Sequence, residues 1–241
     1  MKLLIIQVGR LGDILICLPI ARFYKEKGYD VHWPVTAEYV DVFDNIDYVT
    51  PIKLNGTVWN ATSEAYSLAS DFDEVLDLSF GFPDSDINRY LNDFNFATNF
   101  VEAKYKLANV PLEERWMLSF KRNTEKEDKL KEYLIKNESY ALIHAEASSE
   151  TRLINQEKLS PLLNSNNIIR VKHIKGFNIF DWYKVIEEAE KIYCIDSSFC
   201  NLIEGVINFK TKEKYFLPFR ESAEEWPWTK TTLKNNWAIY D

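Results

Sequence analysis

Apolar residues dominate the chain from Lys2 to Val8, a short run bounded by glycine, which predicts a strand buried on both faces. After it, apolar side chains recur at Ile14, Cys17, Leu18, Ala21 and Tyr24, the spacing of one helix face, until Gly28 stops the helix. Pro19 lies inside this run, so the helix either begins late with Pro19 in its first turn or is kinked there. Asp30–Val35, Tyr48–Ile52 and Glu74–Leu78 read as further strands, Glu38–Phe43 as a short helix, and residues 86–108 as one long or broken helix rich in aromatics. Such alternation predicts a parallel sheet covered by helices on both faces.

The run KRNTEKEDKLKEYLIK, residues 121–136, is densely charged with leucines and an isoleucine on one side, the pattern of a solvated connecting helix. A second series follows it: strands at Tyr140–His144, Ile168–His173, Ile192–Ile195 and Tyr215–Leu217, with helices at Asn155–Leu163, Ile179–Glu190 and Phe199–Val206. The expected fold class is therefore α/β, two compact Rossmann-like domains with parallel sheets over residues 1–120 and 121–241, without an internal sequence repeat. Domains of ~120 residues lie in the ordinary size range.

Charge narrows the partners. Against 29 Lys and Arg stand 37 Asp and Glu, a formal charge of -8 that disfavours nucleic acid. Charges and a polar turn interrupt the apolar start before a signal-peptide core is complete, and no run approaches the ~20 apolar residues that span a bilayer. The expectation is a cytoplasmic protein without a transmembrane segment. Cys17, Cys194 and Cys200 are widely spaced in apolar sequence and read as free buried thiols. His32, His144 and His173 show no paired-ligand spacing, so the expected metal sites are none.

Three strand-to-helix turns carry candidate chemistry. In the first, Val8-Gly9-Arg10-Leu11-Gly12-Asp13, the spacing is GxxG, without the third glycine of a dinucleotide fingerprint or the lysine and hydroxyl of a P-loop. Asp13 there suits a helix cap, accepting a backbone N–H and meeting the helix dipole. It equally suits a ligand-facing carboxylate, since open α/β sheets bind ligands beyond the carboxyl ends of their strands. In the second, Ala141–His144 runs into Ala145-Glu146-Ala147-Ser148-Ser149-Glu150-Thr151-Arg152, either a plain polar loop or a phosphate-holding one with Arg152 as the cation. In the third, Ile195-Asp196-Ser197-Ser198-Phe199-Cys200-Asn201 opens a helix, either as a bare cap or as an anion site. Asp71-Phe72-Asp73 and Asp84-Ser85-Asp86 have DxD spacing but read as loops of the first domain. Trp226, Trp228 and Trp237 form an aromatic tail that suits packing, with a last segment that crosses back to the first domain.

The stretch G-R-L-G-D-I-L-x-x-x-P-x-x-R, Gly9 to Arg22, resembles the start of the family 9 glycosyltransferases, the heptosyltransferase-like enzymes of the GT-B fold. The turn at Asp196 is similar to that family's D-[ST]-G-x-x-H-L-A signature, although Ser198 replaces the glycine, Asn201 the histidine, and Glu204 stands where small residues are usual. The resemblance implies an acceptor-binding first domain and a nucleotide-sugar-binding second domain, with Asp13 as general base. It further implies Gly9, Arg10, Gly12, Ser148, Ser149, Arg152, Asp196, Ser197, Ser198 and Asn201 as substrate-binding residues. The implied reaction is inverting transfer of a sugar from a nucleoside diphosphate to a carbohydrate or glycolipid hydroxyl, independent of metal and without a cofactor. Two other readings stay open: a non-catalytic nucleotide- or sugar-binding protein of the same fold, and a dinucleotide-dependent enzyme using Glu38 near the end of the second strand.

Overall fold

The computed structural model describes residues 1–57, 60–79, 100–136, 139–145, 160, 162, 164–165, 167–217 and 233–240. The expected helix at Asn155–Leu163 falls largely outside the described residues, as do residues 86–99, the loop of Ser148, Ser149 and Arg152, the Asp84-Ser85-Asp86 stretch and the tryptophans at 226 and 228. Two compact units divide the chain, Met1–Lys121 and Arg122–Asp241.

In the first unit, β1 (Lys2–Ile6), β2 (Asp30–Thr36), β3 (Thr50–Leu54) and β4 (Glu74–Asp77) form one sheet in the order β3-β2-β1-β4. Every pairing is parallel, with Leu4 opposite His32 on one side and Val75 on the other. Leu3, Leu4, Ile5 and Ile6 are buried, as a central parallel strand covered on both faces requires. The helices among its described residues are α1 (Leu11–Glu26), α2 (Ala61–Ser67) and α3 (Phe100–Leu107).

Helix α1 begins at Leu11, so Pro19 lies in its interior and not in its first turn. A proline there cannot donate to the carbonyl one turn earlier, and burial among Ile14, Leu15, Leu18 and Ile20 supplies the compensating packing. Gly28 ends the helix at φ +89, a left-handed conformation that glycine adopts without strain. The short helix expected at Glu38–Phe43 is a 3₁₀ turn at Val40–Asn45. The third strand starts two residues later than its apolar run: Ile46, Tyr48 and Val49 are buried as loop side chains before pairing begins at Thr50.

The second unit begins with α4 (Thr124–Leu134). Its sheet joins β5 (Ala141–His144), β6 (Ile168–Arg170), β7 (Lys191–Cys194), β8 (Glu213–Phe216) and β9 (Trp237–Ile239) in the order β6-β5-β7-β8-β9, again all parallel. Helices α5 (Tyr183–Glu188) and α6 (Ser198–Gly205) connect its strands, α5 preceded by a 3₁₀ turn at Ile179–Trp182. The charged run at α4 is more than a solvated connector. Glu127 and Leu130 are fully buried, Glu127 takes the Arg122 guanidinium in a bidentate pair, and Lys131 reaches Glu188 of α5 at 2.6 Å.

Glu204, anomalous in the motif comparison, has a structural task. Its buried carboxylate accepts from the Lys234 N–H at 2.7 Å, the Asn235 N–H at 3.2 Å and Trp237 Nε1 at 2.7 Å, while its carbonyl takes the Asn235 amide at 2.8 Å. It thereby ties the segment leading into β9 to α6, and the tail around Trp237 is a strand of the second unit's own sheet. Replacing Glu204 with alanine strips three donors of their acceptor and should cost about 2–4 kcal/mol in urea unfolding. A loss under about 1 kcal/mol would show that β9 is held by its ladder alone.

Candidate functional site

In the first unit the strand order reverses between β1 and β4, which makes the carboxyl ends of those two strands the topological switch point where open α/β sheets take ligands. Gly9 and Arg10 connect β1 to α1, Gly12 lies in the first turn of α1, and Asp13 is its third residue. The Asp13 carboxylate accepts from the Arg10 N–H at 3.4 Å, so it does cap the helix, yet its side chain stays 26% exposed. Arg10 is exposed, and Gly9 and Gly12 are half-buried.

Residues that sequence reasoning passed over surround this turn. Lys104 of α3 is fully buried, donates to Gln7 Oε1 and, at 2.5 Å, to the Leu78 carbonyl, and lies 3.9 Å from Asp13 Oδ1. The Gln7 amide in turn donates to the Gly9 carbonyl at 2.6 Å, and the Gln7 carbonyl accepts from Trp33 Nε1 at 2.9 Å. At the end of β4, buried Asp77 accepts from the Ser79 N–H at 3.0 Å and from the Tyr66 hydroxyl at 2.6 Å. Burial pushes the Tyr39 hydroxyl up to about 12, Glu38 and Asp13 adding to the shift and Arg10 opposing it, so Tyr39 shares the field of the same turn. Burial likewise raises the Cys17 thiol, one turn beyond Asp13, to about 11 against the pull of Lys104. The one available signal for Lys104 was a charge set among Val101, Ala103, Tyr105 and Ala108, all of them buried.

In the second unit the order reverses between β5 and β7. His144 ends β5, Cys194 ends β7, and Ser197 is the N-cap of α6, its hydroxyl accepting from the Cys200 N–H at 3.3 Å. That hydroxyl also donates to the Ile195 carbonyl at 3.1 Å and meets His144 Nδ1 at 2.9 Å, joining the two strand ends across the switch point. Asp196, Ser198 and Asn201 are half-buried around the same turn. Of the predicted donor-side residues the structure gathers Asp196, Ser197, Ser198 and Asn201; Ser148, Ser149 and Arg152 lie outside the described residues.

The three cysteines are free and buried. Burial by itself would raise the Cys194 thiol, but hydrogen bonds from Cys200, His144 and Ser197 outweigh it and bring it down to about 6, while Cys200 is pushed well up. No group of three or more metal-ligating side chains occurs among the described residues, and no described helix is long and apolar enough to cross a membrane.

Solved structures share this architecture. The Escherichia coli ADP-heptose lipopolysaccharide heptosyltransferase II superposes with a TM-score of 0.64 at 12% identity, over 100% of this chain and 90% of that one. The chain has the heptosyltransferase fold. The family 9 glycosyltransferase of Veillonella parvula matches at TM-score 0.57 and 9% identity, over 89% of this chain and 79% of that one. The E. coli heptosyltransferase WaaC, solved with ADP-2-deoxy-2-fluoro heptose, matches at TM-score 0.52 and 10% identity, over 100% and 93%. No protein-family model matches the sequence, and no curated protein does, so the likeness to the heptosyltransferases lies in the fold.

A pH signature follows from the thiol pair on this fold's second sheet. Because the folded value of Cys194 lies below the 9.0 of a free thiol, its thiolate contributes stability that is full above about pH 9 and lost as pH falls towards 6. Cys200, held protonated, acts only above that window. Urea unfolding from pH 6 to 9 should therefore show a steeper rise with pH for the native chain than for Cys194→Ala, and parallel curves would remove the thiolate from the account.

Proposed function

We propose that this chain is a glycosyltransferase, moving a sugar from a nucleoside diphosphate held by the second unit to an acceptor hydroxyl held by the first. The observation that carries the reading is Asp13: a carboxylate fixed at a strand-to-helix turn, at the switch point of a parallel sheet, and still partly open to solvent. A cap needs no such exposure, whereas a general base must reach a substrate proton. The heptosyltransferase fold supports the reading, since its solved members include enzymes named as glycosyl transferases.

In this mechanism Asp13 takes the acceptor proton as the hydroxyl oxygen attacks the anomeric carbon, and the bond to the diphosphate breaks with inversion. The departing diphosphate gains negative charge, which the first N–H groups of α6 behind Ser197, the Ser148 and Ser149 loop, and Arg152 would stabilise. Asp196, Ser198 and Asn201 would orient the donor, and Gly9, Arg10 and Gly12 would border the acceptor. The scheme calls on protein cations and backbone amides and employs neither metal nor cofactor. The acceptor is a carbohydrate or glycolipid, and the reaction belongs in the cytoplasm, where nucleotide-sugars are available.

Titration calorimetry with ADP, UDP and GDP, followed by release assays with their hexose conjugates, identifies the donor; binding to none of them would remove the transferase reading. Asp13→Asn should then lower turnover about 10²- to 10⁴-fold, with the dissociation constant for the nucleoside diphosphate within about twofold of the native value. Native turnover in that variant would exclude Asp13 as the base.

A further inference from the structure

A lysine ammonium is costly to remove from water, and buried ones persist where neighbouring acceptors hold them. Lys104 has no exposed surface, although its helix neighbours Val101, Ala103, Tyr105 and Ala108 are apolar and buried, so packing alone would accept a methionine or leucine at this position. Its Nζ instead gathers groups from three other segments: Gln7 at the end of β1, the Leu78 carbonyl after β4, and the Asp13 carboxylate in the first turn of α1.

Two lines run from this ammonium to Asp13. The direct one is the 3.9 Å approach to Oδ1. The indirect one passes through Gln7: with its amide oxygen held by Lys104, the Gln7 nitrogen must face the Gly9 carbonyl, which it meets at 2.6 Å. That carbonyl precedes Arg10, whose N–H meets Asp13 Oδ2 at 3.4 Å. The carboxylate thus has Oδ2 bonded to the turn and Oδ1 within ion-pair range of Lys104, while remaining partly exposed. Among the described residues, charged and titratable groups of this neighbourhood include Arg10 and Cys17 on its own segment, Lys104 on α3, Glu38 and Tyr39 ahead of the 3₁₀ turn, and Arg115, which acts on Cys17.

We propose that Lys104 is the positioning residue of Asp13, its buried ammonium orienting the carboxylate directly and holding the Gly9–Arg10 turn through Gln7. The proposal rests on the reading of Asp13 as the general base. Lys104 touches no reacting atom in this scheme; it acts through Asp13.

Two measurements on the full chain test it. In crystal structures of the native protein and Lys104→Met, the Asp13 carboxylate and the Gln7 amide should leave their native positions by about 1 Å or more; if both stay, the proposal is overturned. In ADP-glucose and UDP-glucose hydrolysis, Lys104→Met should lower kcat about 10- to 100-fold with KM within about twofold, the loss expected of a misplaced catalytic group. The double variant D13N/K104M should then be no slower than D13N. A native kcat, or losses that multiply in the double variant, would overturn the proposal and leave the transferase reading intact. Conversely, a fully active Asp13→Asn would refute the base, and the crystal comparison would still decide the positioning. Should Lys104→Met not fold, Gln7→Leu breaks the indirect line and takes its place in both measurements.

Discussion

Parallel pairing is the constraint on which both units depend. Strands that all run one way deliver all their carboxyl ends to one edge of the sheet, and each connection leaving that edge starts a segment that returns over a face. Where the order reverses, between β1 and β4 and again between β5 and β7, the carboxyl edges have their topological switch points, the places where open α/β sheets take ligands. Asp13, in the first turn of α1, and Ser197, the N-cap of α6, stand at those two positions because the helices they cap leave central strands there.

Polar groups brought into a core at either edge of a sheet must be paired. The chain meets this with buried charges that collect backbone groups. Lys104 takes the Leu78 carbonyl, Lys214 the Phe209 carbonyl at 2.7 Å, and Glu204 the N–H groups of Lys234 and Asn235. Each thereby replaces a ladder or capping bond that the irregular backbone there cannot make. Glu204 departs from the heptosyltransferase-like motif for this reason: it anchors the entry to β9, and its size and charge answer to that edge strand more than to a ligand.

The second switch point shows the same logic with softer groups. The Ser197 hydroxyl is at once cap, donor to a buried carbonyl and partner of His144, so a single oxygen ties together β5, β7 and α6. Thiols packed against it share protons unequally, since two adjacent buried sulfurs cannot both carry charge.

Much of the architecture was legible in the residue pattern. Two series of apolar runs at strand and helix spacing implied two parallel α/β units, and the glycines, Asp13 and the Asp196-Ser197-Ser198 turn pointed to the carboxyl edges of their sheets. Local propensity also placed the helix stop at Gly28, where a positive φ is needed. It misjudged elements whose form depends on partners: the third strand, displaced because Tyr48 and Val49 found burial in a loop, and β9, a strand only because β8 offers an unpaired edge. The pairing of Lys104 with Asp13 spans 91 positions of chain, and that of Glu204 with Trp237 spans 33. Hydrophobic period reports which face of an element is buried; it is blind to what stands opposite that face. Sequence alone therefore determined the layers and the turns, and tertiary packing decided which distant side chains hold those turns in place.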